Sequence, residues 1–162
     1  STVGAALHIA AHAFGKITLF FCAGAIFVAC GKKYVSQLDG LGRRMPVTFA
    51  AFAIGALSVT GLPPTGGLLS KFYLVWGAAE AGQIALLCVF LVSTILNGAY
   101  FFPIVYRAFF KPAPEGESEG AGIREAPLAC VLPLALTAIG SVLLFFFPGI
   151  LLQLTDLMVD PK

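Results

Sequence analysis

Apolar positions in this chain come in long unbroken blocks, with no alternation of apolar and polar residues, and short polar or Pro/Gly-rich stretches separate the blocks. A helix that crosses a bilayer needs about 20 apolar residues in a row. The blocks predict spans over residues 3–30, 46–79, 83–110 and 127–152. The second block is too long for one straight crossing. Gly61, Pro63, Pro64, Gly66 and Gly67 divide it into two half-helices, because proline removes a backbone donor and clashes with the preceding turn. Pro103 inside the third block predicts a kink. The expected fold is an all-α membrane protein with about four transmembrane helices, the second broken at Pro63-Pro64.

Composition agrees with the pattern. Hydrophobic residues make up 59% of the 162 positions and charged residues only 11%, and mean hydropathy is +0.94. A soluble domain of this size needs a charged coat that the chain lacks. The stretch 111–126 is different: it is rich in Pro and Gly, carries Glu115, Glu117 and Glu119, and reads as a solvated loop. Cys22, Cys30, Cys88 and Cys130 fall in apolar runs without ligand spacing and read as small buried hydrophobes. The chain opens at Ser1 beside an apolar helix, with no signal-peptide pattern, which predicts a piece of a longer polytopic protein.

The net charge of +2 decides little; where the basic residues fall decides more. Lys32, Lys33, Arg43 and Arg44 stand against one acid, Asp39, in the first loop, and Arg107, Lys111 and Arg124 flank the third. The connection at residues 80–83 has no basic residue. By the positive-inside rule, loops 31–45 and 111–126 are expected on the cytoplasmic side of the inner (plasma) membrane.

Four ionisable residues fall inside the spans, where each is costly and is a functional-site candidate for that reason. His8, His12 and Lys16 recur at every fourth position, forming one stripe about 12 Å long on the first span. Imidazole takes a proton on one nitrogen and gives one from the other, which suits a relay. Lys71 follows the break, about 15 Å from the nearer end of its span, too deep for simple snorkelling. Half-helix ends expose unpaired backbone groups that bind ions or orient water, so Gly61, Pro63, Pro64, Thr65, Gly66, Gly67 and Ser70 form a candidate ion or water site. Ser93, Thr94 and Asn97 read as packing glue between helices, and Tyr100, Phe101, Phe102 and Tyr106 as an interfacial aromatic belt. The two histidines have metal-face spacing but no accompanying glutamate, and no phosphate loop, dinucleotide fingerprint or nucleophile triad occurs. No metal or cofactor is expected.

Three segments, HIAAHAFGKITLFFCAGA, GLPPTGGLLSKFYL and LNGAYFFPIVYRAFF, resemble the antiporter-like membrane subunits shared by respiratory complex I and the Mrp-type cation/proton antiporters. The Ser70-Lys71-Phe72-Tyr73 variant is more similar to the Mrp-type branch of that family. The resemblance implies the C-terminal part of a fourteen-helix protein built from two inverted repeats, each with a broken helix. It also implies Lys71 as the terminal lysine of a hydrophilic axis, with His8, His12 and Lys16 as the relay from the upstream half. A proton is expected to reach the histidines, pass Lys16 and intervening water, and arrive at Lys71. The implied function is proton translocation in a multisubunit Na+ or K+/proton antiporter, with other membrane subunits as partners. An NADH:quinone oxidoreductase or related hydrogenase complex, and a purely structural membrane subunit, are the alternatives.

Overall fold

The computed structural model describes residues 2–112, 122–149 and 153. Among these the chain is entirely helical: α1 (Thr2–Cys30), α2 (Pro46–Thr60), α3 (Gly66–Glu80), α4 (Ile84–Phe110) and α5 (Leu128–Phe146), with short 3-10 turns at Val35–Gln37 and Leu41–Arg43. Helices α1, α4 and α5 are each long and apolar enough to cross a membrane, and α2 is a shorter apolar helix. Together α2 and α3 make the broken span, interrupted where the sequence places Gly61, Pro63 and Pro64. Glu115, Glu117, Glu119 and the predicted end of the last span, residues 150–152, lie outside the described residues.

Helix α2 sits at the centre. It packs against α1, α4 and α5, while α3 touches α1, α4 and α5. The apolar core lies around the α2 half nearest the loops, where Phe49, Met45 and Leu41 meet Cys22 and Ile26 of α1, Ile104 and Ala108 of α4, and Leu134 of α5. Outward faces carry Ile9, Phe20, Val89, Ile95 and Leu136, all exposed. A bundle with large apolar side chains on its outer faces is suited to lipid or further helices, since water is a poor solvent for such a face.

Two sequence readings change. Cys88 is exposed on α4, although Cys22 is buried as expected. Phe101 leaves the aromatic belt and turns inward, its ring edge-on to Phe52 at 6.3 Å, because α2 offers an aromatic partner there.

Candidate functional site

Helix α2 ends because Gly61 takes φ 85°, a left-handed conformation that L side chains rarely adopt. Gly61 N–H and Leu62 N–H both close onto the Leu57 carbonyl, so the last turn is tied off. The carbonyl of Thr60, the final helical residue, is left without a helical partner. After the cis Pro63-Pro64 bond, α3 starts so close to α2 that a Cβ on Gly67 would overlap the Ser58 carbonyl oxygen. Only glycine fits there.

Lys71 fills the vacancy at the end of α2. Its Nζ donates to Thr60 O at 2.7 Å and to Thr94 Oγ1 on α4 at 3.1 Å. The aliphatic stem lies across Gly61, where a Cβ would stand 2.5 Å from Lys71 Cδ. The lysine is therefore half-buried and turned back across the break onto the end of α2, not stretched along α3 towards Glu80. An ammonium against a helix C-terminus gains both the carbonyl lone pair and the favourable end of the helix dipole. Thr94, which reads as packing glue in the sequence, thus belongs to the site; its contact with Lys71 spans 23 positions and depends on how α4 docks.

The neighbouring residue faces the other way. Ser70 Oγ donates to Gly67 O at 3.0 Å and lies 3.1 Å from His8 Nδ1. A hydroxyl has one proton, so with Ser70 donating to Gly67, His8 Nδ1–H is the donor and Nε2 is left as the acceptor. His8 and His12 rings stack at 5.3 Å between centroids. Lys16 is exposed, two turns further along α1. Within the stripe it is His8 that reaches α3, because α1 crosses α3 near its own N-terminus, where Gly4 meets Tyr73 and Leu74.

Of the predicted break residues, Thr65 Oγ1 donates back to Leu62 O at 2.7 Å, within the linker between the half-helices. Gly66 packs on Leu144 of α5. Pro63 and Pro64 are exposed, and Gly61 and Gly67 shape the backbone. Thr60 Oγ1 and Ser141 Oγ are buried without a protein partner, as polar atoms along a water-bearing path can be. Among the described residues no group of acids, histidines and cysteines has metal-ligand geometry.

A bundle with a broken helix, an interior lysine on the half-helix end and histidines beside it defines a membrane protein of antiporter-like architecture. The family model described as NADH:quinone oxidoreductase/Mrp antiporter, TM, matches residues 1–97, and the chain belongs to this family. It is 40% identical to NADH-quinone oxidoreductase subunit N of Desulforudis audaxviator, covering 89% of this chain and 30% of that protein. It is 31% identical to NADH-quinone oxidoreductase subunit L of Pseudomonas aeruginosa, covering 91% and 24%. Its fold matches the solved structure of the Mrp complex from Dietzia sp. DQ12-45-1b with a TM-score of 0.82 and 25% identity, over 100% of this chain and 39% of that one. The chain thus spans well under half the length of the proteins it matches.

Proposed function

We propose that this chain is the C-terminal part of a proton-translocating subunit, with Lys16, His12, His8 and Lys71 as successive stations. The observation that carries the reading is the pair of contacts on adjacent residues of α3: His8 to Ser70 on one face, and Lys71 to Thr60 O and Thr94 on the other. They bring polar groups of α1, α2, α3 and α4 together around the helix break. A proton entering from upstream neighbours at Lys16 moves along the stripe to His8 Nε2, and Lys71 exchanges it with the side opposite the cytoplasmic loops 31–45 and 111–126. Break residues Gly61, Pro63, Pro64, Thr65, Gly66, Gly67 and Ser70 hold the ends of the half-helices open to water or an ion.

Two couplings fit the family. The names of the subunit N and subunit L relatives favour a redox-driven NADH-quinone oxidoreductase. Phe72 after the lysine, together with the fold match to the Mrp complex, supports the Na+ or K+/proton antiporter. Inverted vesicles bearing the full assembly separate them. Respiration acidifies the lumen, and a pH dye follows the gradient. Collapse of the gradient on adding Na+ or K+ establishes the antiporter; NADH-driven pumping by the assembly, indifferent to added cation, establishes the redox pump. A vesicle set showing neither activity contradicts proton translocation.

A further inference from the structure

The end of α2 and Thr94 do more than tolerate a lysine. Lys71 belongs to α3, yet its ammonium completes the hydrogen bonding of the last α2 residue and is steadied from α4. Thr94 Oγ1 donates to Phe90 O at 3.0 Å, so its lone pair is free to face Nζ. Thr60 adds a buried, unpartnered hydroxyl beside the accepting carbonyl. The two groups bonded to the ammonium are oxygen acceptors, and neither is a carboxylate.

Resting on the proton-path reading above, we infer that Lys71 is a clasp across the helix break, closed when protonated and released when neutral, and that Thr94 is the positioning residue that seats it. A charged ammonium has three protons to share and binds two acceptors here. A neutral amine keeps two protons for the same two acceptors but loses the charge that strengthens those bonds and holds the helix end. Loss of the proton therefore loosens the only side-chain bond that joins α3 to the end of α2 among the hydrogen bonds described. The lysine stem is then free to swing off Gly61, which presents no side chain to block it. Proton release and opening of the break become one event.

The charges around the clasp are few. From α1, His8 and His12 lie within electrostatic range of Lys71. Lys16 lies further along α1, and α3 itself carries Tyr73 and Glu80. The sequence of α2 holds no titratable group, and those of α4 and α5 are Cys88, Tyr100, Tyr106, Arg107 and Cys130, none of them bonded to Lys71.

The test measures proton transport against pH by the full-length protein in its assembly, with Thr94→Val, Thr94→Ser and Lys71→Ala. Removing one hydrogen bond to the charged form moves the alkaline limb of the profile to lower pH by about one unit in Thr94→Val. Thr94→Ser keeps the hydroxyl and restores the wild-type limb. An unchanged profile in Thr94→Val overturns the seat, as does a uniform fall at all pH values that Thr94→Ser shares. If Thr94→Val does not assemble, Thr94→Ala is read in the same way. Transport that survives Lys71→Ala overturns the path itself, which separates that failure from failure of the seat.

Discussion

The two ends of α2 are each closed by a charge from elsewhere in the chain, and they differ in what surrounds that charge. At the loop end Glu125 acts as a cap in trans: Oε1 accepts from Val47 N–H at 2.6 Å and Thr48 N–H at 3.4 Å, and Oε2 from Thr48 Oγ1 at 2.6 Å. Arg124 N–H adds a bond to Arg44 O. At the other end Lys71 completes Thr60 O within the bundle. Both placements suit the helix dipole, an anion at the N-terminus and a cation at the C-terminus. Near the loops the carboxylate is a structural cap on the N–H groups of the first turn of α2. In the membrane interior the same physics makes the charge conditional on its few partners, as the proposed clasp requires.

The comparison breaks most severely at Gly67. Gly67→Ala forces a methyl group into the Ser58 carbonyl, so α3 cannot seat against α2. The assembled complex on native gels should fall to a small fraction of wild type. Normal assembly would mean that the close approach of the half-helices is not required.

Glu125→Ala sharpens the contrast. It removes a cap and should cost about 1 kcal/mol of stability, read as a lower melting temperature of the assembly. Transport per assembled complex should stay at the wild-type level; a selective loss of transport would show that the loop end also belongs to the path.

The smallest effect is expected at Asp39. Arg107 Nε and Nη2 bind its two carboxylate oxygens at 2.6 and 3.0 Å, with Lys111 at 4.0 Å. The hydrogen bond from Arg107 holds the Asp39 carboxyl below its usual range. A depressed carboxylate contributes stability above its unfolded pKa of about 3.9, and that contribution is lost as pH falls through the lower folded value. Asp39→Asn should lower the melting temperature slightly at neutral pH and not at all in strong acid. An equal effect at both would assign the pair no electrostatic role.

The helices are legible in the sequence because their signals are local. Pro63, Pro64 and the flanking glycines mark a break wherever the chain folds, and the four apolar blocks coincide with the described helices to within a residue or two, apart from the end of the last. Lys71, His8 and His12 stand out because an ionisable group in an apolar run is conspicuous. What stays hidden depends on docking. Thr94 looks like any hydroxyl on an apolar helix until α4 lies beside the break, and Glu125 reaches α2 across 77 positions. The order within the stripe is hidden for the same reason: spacing aligns His8, His12 and Lys16 on one face, but only the crossing point of α1 and α3 decides which residue meets Ser70.

The most direct test compares Lys71→Ala with Glu125→Ala in inverted vesicles, measuring proton transport and the amount of assembled complex on the same preparations. The predicted result is a complete loss of transport with assembly retained in Lys71→Ala, against retained transport with modestly lowered stability in Glu125→Ala. Transport that persists without Lys71, or that falls only in step with assembly, would contradict the account.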